Sequence, residues 1–185
     1  MSARNTKLIY LTGFMGSGKS TIAPILANTL GYSFLDSDNE IQKISGKQVS
    51  EIFLEDGESV FRERERQLLQ RVSQQKNCVI SLGGGTIAND TNLAIVKSTG
   101  VLVYLKLEAE SVFHRMKNKT DRPLLRTKDG GTMNEEELRR HIAALFAARE
   151  WYYKQADIVV ATDENTVGQS VDDIMRSLRN LSSVV

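Results

Sequence analysis

Cysteine is nearly absent from this chain of 185 residues: Cys78 stands alone, so no internal disulfide can form and folding must rest on an apolar core. It lies beside Val79 and Ile80 and reads as a small buried residue rather than a nucleophile. The two histidines, His114 and His141, sit apart in charge-rich stretches and offer no zinc-ligand spacing, so both are expected to be surface or structural. No apolar run approaches the roughly 18 residues of a membrane span. The first seven residues hold no apolar core of signal-peptide length, which makes a cytoplasmic location the expectation. Excess charge of one sign is missing too. With 24 Lys and Arg against 23 Asp and Glu, the formal net charge is +1, too weak a field to recruit nucleic acid or a membrane surface. Repeats, linkers and low-complexity tracts are also lacking, and the length suits one domain over residues 1–185.

What the chain does contain begins with Gly13-Phe14-Met15-Gly16-Ser17-Gly18-Lys19-Ser20-Thr21, entered directly from the apolar run Leu8-Ile9-Tyr10-Leu11. The spacing G-x-x-x-x-G-K-S between a strand and a helix is the phosphate-binding loop. A phosphate tail is a strongly hydrated anion, so its site must replace water with many donors. Glycine lets successive backbone N–H groups turn inward, and the helix start adds unpaired amides and the positive end of its dipole. Lys19 would supply a mobile cation for the terminal phosphates, and Ser20 a hydroxyl for the magnesium that travels with them. Nucleoside triphosphate binding through Gly16, Ser17, Gly18, Lys19, Ser20 and Thr21 is the reading.

Downstream, apolar strands alternate with helical stretches from first to last, which predicts an α/β fold with a parallel sheet covered on both faces. Pro24 should bend the first helix, and Gly31 should end it. Tyr32-Ser33-Phe34-Leu35 leads to Asp36-Ser37-Asp38 at the carboxyl end of a strand, where such sheets bind ligands. Alternating there, one Asp could reach the metal shell and the other a second substrate, or both could cap a helix. Residues 39–75 read as helical pieces broken at Gly46 and Gly57. In the last piece Phe61, Leu68, Leu69 and Val72 form a buried stripe that also takes in Glu65, one turn from Arg62. A carboxylate there is costly unless paired, so Glu65 is expected to hold Arg62 facing the site, with Arg64 and Arg66 as ordinary surface charges. Residues 78–82 read as a buried strand followed by Gly83-Gly84-Gly85, more glycine than a turn needs, which suggests backbone lying close to a ligand. Helices are expected near residues 90–98, 110–117, 134–155 and 166–178, with strands at 101–107 and 158–161. Between residues 116 and 132, Lys117, Lys119, Arg122, Arg126 and Lys128 accumulate with few apolar anchors. Such a segment would serve as a mobile basic lid that excludes water from a transferring phosphoryl group.

With these elements placed, the chain resembles the shikimate kinase family over nearly its whole length. The Gly-Phe-Met opening of the phosphate loop, Phe34-Leu35-Asp36-Ser37-Asp38, Phe61-Arg62 with Glu65, Gly83-Gly84-Gly85 after a strand, and Arg122-Pro123-Leu124-Leu125 carry the resemblance. It implies a three-layer sandwich with a five-stranded parallel sheet in the nucleoside monophosphate kinase order, an acceptor subdomain over residues 37–65, and the lid. It also implies ATP-dependent phosphorylation of the 3-hydroxyl of shikimate. Asp38, Arg62 and Arg149, with the Gly83, Gly84 and Gly85 loop, would hold shikimate, and Arg115 would lie against adenine. Lys19, Asp38 and Arg122 would be catalytic. Magnesium would be served by Ser20 directly and by Asp36 through water. A monomer acting on small molecules is implied. The loop after the last strand reads Ala161-Thr162-Asp163, where the family usually carries Asp-Thr. A kinase for gluconate or a nucleoside monophosphate, and a nucleotide-sensing regulator without turnover, are the competing readings. The regulator predicts a missing catalytic group, and none is missing.

If Arg122 acts on the transferring phosphate, Arg122→Ala should lower kcat by roughly a hundredfold while shikimate KM changes far less. Steady-state kinetics check this, and equal losses in both parameters would contradict a transition-state role.

Overall fold

The computed structural model describes residues 8–117 and 133–183. Five strands, β1 (Leu8–Thr12), β2 (Ser33–Asp36), β3 (Cys78–Ser81), β4 (Val101–Lys106) and β5 (Ile158–Ala161), form one all-parallel sheet in the order β2-β3-β1-β4-β5. The β1 strand is flanked on both sides, with Leu11 beside Ser81 on β3 and beside Val103 on β4. The chain therefore leaves β1 for one half of the sheet and later returns to its other side for β4. That reversal places a crevice over the carboxyl end of β1.

The pleat explains the three layers. Ile9, Leu11, Val79, Val103 and Leu105 pack with Ile22, Leu26 and Ala27 of α1 (Lys19–Leu30) and with Val171 and Ile174 of α8 (Val167–Ser183). Their strand neighbours Leu8, Tyr10, Ile80, Leu102 and Tyr104 face the opposite way. They pack with α4 (Glu58–Val72), α5 (Asp90–Thr99), α6 (Ala109–Met116) and α7 (Glu135–Tyr153). The α/β three-layer sandwich and the strand order expected from the sequence are both present. Helix α1 runs through Pro24 without interruption and stops at Gly31.

Between β2 and α4 lie α2 (Ser37–Ser45), the short α3 (Val49–Glu51) and a π-helical turn, Ile52–Asp56. Breaks fall at Gly46 and Gly57, as read from the sequence. Helix α2 starts at Ser37 rather than residue 39, because the Asp36 carboxylate caps it through the Asp38 and Asn39 amides. Asp38 is thus in a first helical turn, and the expected strand-like alternation of Asp36 and Asp38 does not apply. Arg66 pairs with Glu63 at the surface as expected, but Arg64 differs. It is half-buried and bonds Asp56, which also takes Lys47 at 2.8 Å, so the pair ties the π-helical turn to α4 and to the loop after α2. Helix α8 runs on to Ser183, past the expected end, since residues 178–183 contain no glycine or proline.

Gly100 joins α5 to β4 where a Cβ would lie 2.5 Å from the Leu8 carbonyl oxygen and 2.7 Å from the Tyr10 ring. Gly100→Ala should cost about 2 kcal/mol of stability through overpacking. Gly168→Ala, in α8 with nothing within 4 Å of the new methyl, should instead add about 0.5 kcal/mol. Urea denaturation of both variants checks the pair, and a stable Gly100→Ala protein would contradict the packing.

Candidate active site

The phosphate loop leaves β1 at Gly13 and closes into α1. Gly13, Gly16 and Gly18 all have positive φ, which side-chain-bearing residues rarely adopt. At Gly13 the crowding is also steric, since a Cβ would meet the Leu105 carbonyl oxygen at 2.6 Å and Ser17 Oγ at 2.7 Å. The turn is held by the Ser17 amide on the Phe14 carbonyl at 3.1 Å. Lys19 Nζ donates to the Gly13 and Phe14 carbonyls at 2.7 and 3.0 Å, so its ammonium lies over the loop. Helix α1 has no side-chain cap and no acidic residue in its first turn, which leaves that end electropositive for an anion. Ser20 and Thr21 are exposed there, whereas Ser17 is buried with its hydroxyl turned under the loop against Gly13. Arg115 on α6 donates to the Gly16 carbonyl at 2.8 Å and to the Thr162 carbonyl at 3.3 Å, bridging the loop to the segment after β5. In that segment Asp163 accepts the Glu108 amide, and the Thr162 hydroxyl donates to the Lys106 carbonyl.

The second half of the site comes from the carboxyl ends of β2 and β3. Asp36 caps α2 through Oδ1, and its Oδ2 accepts the Ser81 hydroxyl at 2.9 Å, tying the ends of β2 and β3 together. Glu65 is 2% exposed. Its Oε2 accepts Arg62 Nη1 at 2.6 Å, and its Oε1 accepts the Thr86 hydroxyl at 2.5 Å. Arg62 also donates Nε and Nη2 to Glu58 Oε1. A guanidinium has five N–H groups; three are used in these bonds, and 5 − 3 leaves two, one on each terminal nitrogen. Burial works against the Arg62 charge, but the Glu65 and Glu58 carboxylates outweigh it and hold the guanidinium above its ordinary value.

The three glycines sit where these side chains converge. A Cβ on Gly83 would be 2.8 Å from Asp38 Oδ1 and 2.8 Å from Glu65 Oε1, and one on Gly85 would be 2.9 Å from Arg62 Nη1. On Gly84 it would be 3.2 Å from the Gly13 carbonyl oxygen and 3.5 Å from Arg149 Nη1. The run of glycine thus serves close approach of the protein's own charged groups. All three carbonyls accept protein donors: Gly83 from the Thr86 amide, Gly84 from the Tyr153 hydroxyl at 2.6 Å and Gly85 from the Ala88 amide. Ser37 Oγ accepts the Gly83 amide. The Gly84 and Gly85 amides have no acceptor among the described residues. Arg149, on the inner face of α7, is buried and lies over the Phe14 ring at 5.4 Å, while Phe14 stacks on Phe146 of the same helix.

Asp38, Arg62, Gly83, Gly84, Gly85 and Arg149 therefore form one patch, and Gly16, Lys19, Ser20, Thr21 and Arg115 form another. The two adjoin where a Cβ on Gly84 would meet the Gly13 carbonyl and where Arg149 lies over Phe14. Arg122 and most of the expected lid, residues 118–132, lie outside the described residues. Sequence reading missed Glu58, Thr86 and Tyr153. Glu58 and Tyr153 carried a usable signal, each four residues from an arginine already singled out and so on its helical face. Thr86 carried none, because its pairing with Glu65 joins distant segments.

Known proteins resemble this chain in sequence and in fold. A family model described as shikimate kinase matches residues 15–179. The chain is 46% identical over 175 residues to a shikimate kinase of Chlorobaculum tepidum, covering 95% of this chain and 92% of that one. It is similar to the solved structure of a shikimate kinase from Acinetobacter baumannii in complex with shikimate, with TM-score 0.85, 30% identity and coverage of 96% and 95%. It is also similar to a shikimate kinase from Aquifex aeolicus, with TM-score 0.81, 38% identity and coverage of 95% and 98%.

Glu65→Gln keeps the shape but removes the charge between Arg62 and Thr86. It should lower stability by about 2 kcal/mol and weaken acceptor affinity, read by urea denaturation and calorimetry. Unchanged values in both would show that Arg62 does not depend on Glu65.

Proposed function

The chain belongs to the shikimate kinase family, whose members phosphorylate shikimate with ATP, and on that premise we propose how its own residues divide the work. ATP is held at the phosphate loop by the amides of residues 16–21 and by Lys19, with Arg115 against the base. Shikimate lies across the glycine loop. The two N–H groups that Arg62 has left form a fork suited to a carboxylate, and Arg149 supplies a second guanidinium. Asp38, beside Gly83, accepts the hydroxyl that attacks. A carboxylate is far too weak a base to ionise an alcohol beforehand, so its part is orientation of the 3-hydroxyl toward the γ-phosphate. The observation that supports the reading is the closeness of the two loops, since a Cβ on Gly84 would lie 3.2 Å from the Gly13 carbonyl oxygen, which suits acceptor and donor sites edge to edge for in-line transfer. Lys19, and Arg122 from the lid, would offset charge on the moving phosphoryl group.

Magnesium fits the residues present. Ser20 is exposed at the start of α1, and the described residues contain no cluster of three metal-binding side chains. This suits an ion that keeps several waters and is held chiefly by substrate phosphates. Ser20 would ligate it and Asp36 would reach it through water, Asp36 itself being held in place by Ser81 and the α2 amides. When bound, the ion would neutralise phosphate charge. Residues 37–65 act as the acceptor subdomain and residues 116–132 as the lid of a single kinase domain. The reading extends to a monomer in the cytoplasm with no nucleic-acid or membrane partner. No helix among the described residues is long and apolar enough to cross a membrane.

Phosphorus NMR of shikimate, ATP and magnesium with the protein should show a new phosphate monoester at the 3-hydroxyl. Asp38→Asn should reduce its rate by roughly a thousandfold. A variant as fast as wild type would remove Asp38 from the mechanism, and no ester in wild type with ATP bound would remove the substrate.

A further inference from the structure

We propose that Tyr153 is a positioning residue for the acceptor: through the Gly84 carbonyl it sets the direction of the Gly85 amide in the acceptor site. The inference rests on the reading of the glycine loop as the shikimate site. Tyr153 is 1% exposed and lies one helical turn beyond Arg149 on the inner face of α7. Its ring stacks on Tyr104 at 4.7 Å and 15° between planes, and Tyr104 is the register partner of Thr12, the last residue before the phosphate loop. The ring is therefore anchored to the sheet, and only its hydroxyl reaches out, 2.6 Å from the Gly84 carbonyl oxygen.

A trans peptide holds its C=O and N–H in one plane pointing opposite ways. Fixing the Gly84 oxygen toward α7 therefore aims the Gly85 N–H away from it, and that amide has no acceptor among the described residues. The same logic applies one residue earlier, where the Thr86 amide holds the Gly83 oxygen and so aims the Gly84 N–H. A peptide between two glycines turns over more easily than any other, because no Cβ resists the new backbone angles. Without the Tyr153 hydroxyl, the 84–85 peptide has no side-chain anchor in the described structure, and a flipped peptide would present a carbonyl where the acceptor meets a donor. Burial raises the Tyr153 phenol above its ordinary value, against the opposing Arg149 charge, so the hydroxyl keeps its proton near neutral pH.

Tyr153→Phe keeps the ring stack and removes only the hydroxyl. Shikimate KM should rise roughly tenfold, with ATP KM and kcat within about twofold of wild type. A purely structural tyrosine would lower stability without this selective change. Unchanged shikimate KM, or a rise shared equally by ATP, overturns the proposal. Arg62→Lys is measured alongside. If it too leaves shikimate KM unchanged, the acceptor site itself has been misread, whereas a rise with Arg62→Lys alone removes only Tyr153. In wild type, the Gly85 amide resonance should shift on adding shikimate and not on adding ADP, a readout that holds even if Tyr153→Phe fails to fold. No Gly85 response to shikimate overturns the role.

Discussion

One buried carboxylate, Glu65, holds the proposed acceptor half of this molecule in register. An unpaired charge at its depth would cost several kcal/mol, so the fold is committed to supplying its partners. These come from two directions: Arg62 lies one turn earlier on α4, and Thr86 lies beyond the glycine loop. Satisfying Glu65 therefore fixes the gap between α4 and the end of β3, and the loop that crosses the gap has no room for side chains. The same pairing turns the Arg62 guanidinium so that its remaining donors lie against Gly85. Stability and the proposed recognition of a carboxylate thus draw on one interaction.

The sheet order does the rest. Strands β2, β3 and β1 are neighbours, so Asp38, the glycine loop and the phosphate loop emerge side by side from their carboxyl ends. Helix α7 spans the seam from above, with Phe146 stacked on Phe14 of the phosphate loop and Tyr153 bonded to Gly84. Arg149 lies between these two anchors in sequence and has contacts on both loops. Reactants held by such a seam would meet with little further loss of motional freedom, which is where a phosphoryl transferase gains much of its rate. On the nucleotide side, Arg115 ties Gly16 to Thr162, so the loop after β5 is braced against the phosphate loop. The Ala161-Thr162-Asp163 departure fits this arrangement, with Asp163 occupied by the Glu108 amide.

Much of this was legible in the sequence for physical reasons. The phosphate loop has a spacing that little else requires, and the alternation of apolar strands with helices leaves few folds. Glu65 betrays its partner because a carboxylate in an apolar stripe at helical spacing must be paired. Where the reading missed, the cause was long-range. For Asp36 the sequence left capping and a place in the metal shell both open, and it gave no sign of the Ser81 hydroxyl that fixes its second oxygen. Arg64 looks like one more exposed charge until the π-helical turn brings Asp56 beside it. Gly83 to Gly85 signalled close approach, but not that the protein's own Asp38, Glu65, Arg62 and Arg149 crowd there as well. No local pattern announces contacts between segments so far apart.

The central claim is that Arg62, posed by Glu65, grips the carboxylate of the acceptor. It is tested most directly by calorimetry of shikimate and its methyl ester on wild type and on Arg62→Gln. Wild type should prefer the carboxylate by at least about tenfold, and the variant should lose most of that preference. The same preference in both proteins would contradict the account.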